Sequence, residues 1–157
     1  MTPPRTDEEL RRQVDLKQGL PESYRALAAL TRSAGVFGEG LDELVKVRAS
    51  IINSCAYCID THTTRAIADG EDPRRLSALP AWRDSTFFTD RERAALALTD
   101  ALTTLADGDG IDAAFGEAAA EFTGDELNRL VAAIIAINGW NRAAIASHLA
   151  VSPLTGT

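Results

Sequence analysis

Apolar residues recur along most of this chain at three- and four-residue steps, the period of a helix with one buried face. Pro21, followed by Glu22, opens the first such stretch, which runs through Leu27, Leu30 and Ala34 until Gly35, Gly38 and Gly40 break it. Leu41, Leu44, Val45, Ala49 and Ile52 repeat the spacing. The alternation Val45, Lys46, Val47, Arg48 has the period of a strand, but it lies inside the longer helical pattern, so a helix is expected. Asn53 and Ser54 interrupt it. Ser54 is a suitable N-cap for a helix from Cys55 to about Ala68, with Asp69-Gly70 as its stop.

Leu79 to Phe88, holding Pro80, Trp82, Phe87 and Phe88, has no clear period and reads as a long connection with aromatic anchors. Thr89 with Glu92 three residues later forms a capping-box pattern before a helix through Leu96, Leu98 and Leu105. A turn is expected over Asp107 to Gly110, then a short Ala-rich helix from Ile111 to Glu121. Thr123 or Gly124 begins a long last helix, Asp125 to about Leu149, in which Gly139 marks a bend or a close approach. Twenty-seven residues are Ala, and long β-branched or aromatic alternations between turn signals are absent. The fold class this predicts is all-α: a single helical domain over 21–150, with an N-terminal arm (1–20), a C-terminal tail (151–157) and frayed ends.

The length of 157 residues suits one domain. Sixteen Lys and Arg against 23 Asp and Glu leave a net charge of −7, which argues against nucleic acid as a partner. The longest apolar run, Leu130 to Ile137, is far short of a membrane span, and Met1 to Arg12 is too polar for a signal peptide. A cytoplasmic location is therefore expected, with no membrane partner. In a reducing compartment two cysteines make a poor structural staple, and their positions, 55 and 58, ask for redox or metal chemistry instead. Gly-rich phosphate loops and a Gly-x-Ser-x-Gly elbow are lacking, which disfavours a flavin or nicotinamide reductase.

The segment Ser54 to His62 contains C-x-x-C followed by x-x-x-H. On one helix Cys55, Cys58 and His62 are related by i,i+3 and i,i+4 and share a face. A thiol at a helix N-terminus has its thiolate stabilised by the dipole, and a nearby imidazole can take its proton. The dipole favours Cys55 as the nucleophile, whereas the spacing to His62 favours Cys58, and the directed base decides for Cys58. Three alternatives stand beside this chemistry. One is a buried Cys pair with a satisfied His; another is a zinc site, for which Cys55, Cys58 and His62 give three ligands and Glu43 or His148 a fourth. The third is a redox-sensing module without turnover. Glu43 enters through geometry. In an antiparallel helix pair folded at Asn53-Ser54 it lies roughly 16 Å from the turn and His62 about 12 Å, similar heights, so a carboxylate could orient the imidazole. A solvated surface Glu is the plainer reading.

Glu43, eleven intervening residues, Cys55-Ala56-Tyr57-Cys58 and three more to His62 resemble the signature of the AhpD-like alkylhydroperoxidases in the carboxymuconolactone decarboxylase superfamily. The resemblance runs from about Pro21 to Leu105 and, more loosely, to Asn138-Gly139-Trp140-Asn141-Arg142. It implies an all-helical homo-oligomer, commonly a trimer or hexamer, that acts without a cofactor as a thiol-dependent hydroperoxide reductase or a disulfide reductase. By the same resemblance Cys58 attacks the peroxide, Cys55 resolves, His62 relays protons and Glu43 orients His62, with electrons from a lipoyl-bearing or thioredoxin-like dithiol protein. Tyr57 stands where the founding type often has His; it serves as a substitute through its hydroxyl or as a packing contact. Asn141 and Arg142 are expected to be an exposed or capping polar pair, and His148 a dipole contact at a helix end. The superfamily's other chemistry, decarboxylation of a γ-carboxymuconolactone-like acid by Glu43 and His62 alone, would leave both cysteines idle.

Overall fold

The computed structural model describes residues 14–35, 38, 40–105 and 108–153, together with positions 4, 6 and 9. Among the described residues there are eight α-helices and no strand. They are α1 (Leu16–Gly19), α2 (Pro21–Ala34), α3 (Leu41–Ile52), α4 (Ala56–Ala68), α5 (Pro73–Ala78), α6 (Asp90–Thr104), α7 (Gly108–Glu121) and α8 (Gly124–Ala146), with a 3-10 turn at Leu79–Ala81 after α5.

Helix α3 is central and packs against α4, α6 and α8. Its Leu44, Val45, Val47 and Ala49 are all buried. Neighbouring residues on different sides are thus covered together, which explains why a strand-like alternation appears within a helix. Helix α8 buries Leu130, Ile134 and Ile137 and leaves Ile135 54% exposed. It runs unbroken through Gly139. A Cβ there would fall 2.8 Å from a methyl of Leu27, so the glycine serves close packing of α2 on α8 rather than a bend.

Capping explains most of the helix ends. Thr89 and Thr123 each form a complete capping box, with Glu92 and Glu126. Two expected boundaries need correction. Gly108 to Gly110 belong to α7 instead of a turn, while Asp107 lies outside the described residues. Helix α8 stops at Ala146, because His148 turns left-handed (φ 48°) and the N–H groups of His148 and Leu149 donate back to Ile145 and Ala144. The connection before α6 has the expected aromatic anchors in Trp82 and Phe88, both buried, whereas Phe87 is exposed. Arg93 of α6 ties that connection down through the carbonyls of Trp82, Arg83 and Ser85. Within the expected N-terminal arm, α1 is a single turn capped by Asp15, too short to show a period. Among the described residues no helix is long and apolar enough to cross a membrane.

Candidate active site

Three residues, Asn53, Ser54 and Cys55, join α3 to α4. Ser54 is left-handed (φ 56°). Its N–H donates to the Ile51 carbonyl at 3.1 Å and that of Cys55 to the Ser50 carbonyl at 3.0 Å, the Schellman reversal that closes a helix C-terminus. Ser54 is therefore occupied in ending α3 and does not cap α4, as its identity suggested. The extended cap position passes to Cys55 (φ −88°, ψ 92°), whose Sγ accepts the Cys58 N–H at 3.3 Å. Cys55 and Cys58 have Cα atoms 5.3 Å apart, within the range for a disulfide, and their sulfurs are bonded.

Glu43 and His62, 19 residues apart, meet across the antiparallel α3–α4 pair, with Glu43 Oε2 2.8 Å from His62 Nδ1. Glu43 is 5% exposed, so it is not a solvated surface residue. Its other oxygen accepts from Lys46 Nζ at 2.8 Å, and Lys46 also holds Asp42 at 3.0 Å. Burial works to raise the pKa of Glu43, but the hydrogen bonds from His62 and Lys46 outweigh it and bring the value to about 2. The ionised Glu43 accepts a hydrogen bond from His62 Nδ1–H, which fixes the ring and leaves Nε2 as the nitrogen free to act as a base. Lys46 was not singled out in the sequence, although its i,i+3 position from Glu43 is a readable signal.

Cys58 and His62 line one cavity of about 740 Å³ together with Tyr24, Tyr57, Ile137 and Trp140. Cys55 is absent from that lining, so of the expected three-residue face Cys58 and His62 alone reach the cavity. Tyr24 and Trp140 meet edge to face with ring centroids 5.0 Å apart. The Trp140 Nε1–H donates to Thr31 Oγ1 at 2.8 Å, which leaves the indole presenting its apolar faces. Tyr57 is 39% exposed at the cavity wall and is not a core packing residue.

The model of the carboxymuconolactone decarboxylase family matches residues 18–101. The chain belongs to this family. It is 36% identical over 104 residues to YdfG, an uncharacterised protein of Bacillus subtilis (strain 168), covering 66% of this chain and 71% of that one. A solved Agrobacterium tumefaciens protein of unknown function, described by reference to the antioxidant defence protein AhpD, is 34% identical. It superposes with a TM-score of 0.82 over 91% of this chain and 99% of its own. The debrominase Bmp8, solved in complex with 2,3,4-tribromopyrrole, shares the fold with a TM-score of 0.72 at 20% identity, over 85% of this chain and 72% of that one. These likenesses fit the AhpD-like branch of the carboxymuconolactone decarboxylase superfamily.

The family match contains Glu43, Cys55, Cys58 and His62, but a further group of polar residues near the thiols reaches beyond it. Asn53 Nδ2 donates to Asn138 Oδ1 and Asn141 Oδ1, both at 2.9 Å, and Asn141 Nδ2 donates to Ser50 Oγ at 2.9 Å. Asn141 is fully buried, contrary to the exposed or capping role its identity suggested; Arg142 is exposed and donates to the carbonyl and side-chain oxygens of Asn138. His148 is exposed beyond the end of α8. Among the described residues no group of three or more His, Cys, Asp or Glu side chains is placed to hold a metal ion.

Proposed function

We propose that this family member is a thiol-dependent hydroperoxide reductase that cycles Cys55 and Cys58 between dithiol and disulfide. The observation that carries the reading is the pair itself: bonded at the start of α4, with Cys58 opening onto the same cavity as an imidazole held by Glu43. Cys58 in the first turn of α4 gains thiolate character from the helix dipole, and His62 Nε2 accepts the thiol proton. The thiolate attacks the terminal peroxide oxygen, an S–O bond forms as O–O breaks, and His62 returns the proton to the departing alkoxide. The sulfenic acid on Cys58 is then attacked by Cys55, the S–S bond forms, and the oxygen leaves as water. A dithiol donor, lipoyl-bearing or thioredoxin-like, reduces the disulfide and is itself oxidised.

The cavity, at about 740 Å³, falls in the size range of small-molecule sites and far exceeds what hydrogen peroxide requires. Its aromatic wall favours an organic hydroperoxide. The protein works as a homo-oligomer, a trimer or hexamer, in the cytoplasm. Hydroperoxide consumption measured with a panel of dithiol donors tests the reading. Turnover is expected with at least one donor and none with Cys58→Ser; a disulfide that forms on oxidation while no donor supports turnover would instead leave a redox sensor. Trp140→Ala is expected to lower kcat/KM for cumene hydroperoxide about tenfold or more, with little change for hydrogen peroxide.

A further inference from the structure

The amides around the α3–α4 reversal, Asn141 buried and Asn53 and Asn138 half-buried, have no part in that cycle. Asn53 is the C-cap of α3, and its single NH2 group spans Asn138 and Asn141 of α8. Asn141 continues to Ser50 Oγ, which donates to the Lys46 carbonyl at 2.7 Å, and Asn138 Nδ2 reaches Thr103 Oγ1 of α6 at 3.0 Å. Ser50 and Asn141 are fully buried, and Thr103 is 6% exposed. Backbone bonds already close the α3–α4 reversal without these side chains. Burying several amides and hydroxyls is costly unless each is paired, so the network imposes one arrangement at the expense of others. The residue it brackets, Ser54, occupies a left-handed conformation that disfavours a side chain and persists only where the surroundings over-determine it. The next residue is Cys55, whose N–H is fixed to the carbonyl of Ser50, the residue that Asn141 grips by its hydroxyl.

We infer that Asn141, acting through Asn53 and Ser50, is a positioning residue for the resolving thiol: it anchors the α3–α4 reversal so that Cys55 Sγ stands within reach of Cys58. This rests on the thiol cycle proposed above. In that cycle the positioned step is the one in which the Cys55 sulfur displaces oxygen from the Cys58 sulfenic acid. Loosening the reversal lowers the effective concentration of one thiol toward the other and leaves the attack of Cys58 on peroxide alone.

The test compares wild type, Asn141→Ala, Asn53→Ala and Thr99→Ala. Thr99 is fully buried on α6, bonds only within its own helix, and controls for general loss of stability. The reduction potential of the Cys55–Cys58 pair is measured in glutathione buffers, which requires no peroxidase activity. Sulfenate formation and its decay to disulfide are then followed separately after mixing with cumene hydroperoxide. Both Asn variants are expected to lower the disulfide equilibrium about tenfold, equivalent to a potential raised by about 30 mV. They are also expected to accumulate Cys58 sulfenate formed at the wild-type rate, with Thr99→Ala unchanged in both readouts. If Asn141→Ala does not fold, Asn53→Ala, whose side chain is only partly buried, decides alone. Potentials and decay rates equal to wild type in the folded variants, or shifts equally large in Thr99→Ala, would overturn the inference. Failure of cumene hydroperoxide to produce either sulfenate or disulfide in the wild type would sink the peroxidase reading and still leave the potentials to judge the positioning.

Discussion

A nearly buried carboxylate stays ionised only if its partners compensate for lost water, and Glu43 has Lys46 and His62 hydrogen-bonded to it and the Arg65 guanidinium 3.8 Å away. Its pKa of about 2, against 4.5 for the free group, makes the ionised form a source of stability. The contribution is fully present above pH about 4.5 and is lost as the pH falls through the folded value near 2. The shift corresponds to about 3 kcal/mol. Glu43→Gln is therefore expected to cost up to about 3 kcal/mol in urea unfolding at pH 7, with the gap to wild type narrowing as the pH approaches 2. A gap that does not change with pH would show that the cost is packing rather than charge. At this scale the nearness of Cys55, Cys58 and His62 was legible because it is written in i,i+3 and i,i+4 steps, whereas Glu43 entered only by folding two helices together and its burial was not legible. Ser54 misled because two rules compete for one residue: its hydroxyl suits an N-cap, while the reversal ending α3 needs a left-handed residue one step earlier.

Among the elements, period and caps gave the order of the main helices. The 3.6-residue period located α2, α3, α4, α6 and α8, and the boxes at Thr89 and Thr123 fixed two of the starts. Helix α7 begins earlier than its sequence suggests, since Gly108 and Gly110 are poor helix formers that packing against α6 nevertheless keeps helical. Gly139 offered two outcomes, and only the position of α2 distinguishes them. Replacing it with Ala gains helix propensity of about 1 kcal/mol but pushes on the end of a flexible Leu27 side chain, so the net change is expected to stay within about 1 kcal/mol. Gly139→Val adds branches that Leu27 cannot clear and is expected to cost about 2 kcal/mol or more. Thermal unfolding of the two variants checks this; equal, small effects would mean that α2 and α8 are not closely opposed.

At the scale of the whole molecule, what the sequence could not disclose are relations between distant segments. Asn53 lies 85 and 88 residues from its partners Asn138 and Asn141, and no local pattern marks them as buried together. The cavity likewise is assembled from α1, α2, α3, α4 and α8, so its size and aromatic wall exist only after folding. Ile135, Ile145 and Leu149 remain exposed on α8 and just beyond it, at 54%, 45% and 49%. Light scattering at micromolar concentration is expected to give the mass of a trimer or hexamer that covers such residues, and a monodisperse monomer would contradict the proposed assembly.

The division of labour between the two thiols is the point on which the account depends. Of the two thiols, Cys58 alone lines the cavity with His62. The most direct measurement is the rate of sulfenate formation after mixing with an organic hydroperoxide, followed by intact mass with a sulfenate trap in Cys55→Ser, Cys58→Ser and His62→Ala/Cys55→Ser. The account predicts one added oxygen, trapped on Cys58, in Cys55→Ser; slow or no reaction in Cys58→Ser; and a loss of about 10²-fold or more without His62. Rapid sulfenate formation on Cys55 in Cys58→Ser, with Cys55→Ser inert, would contradict it.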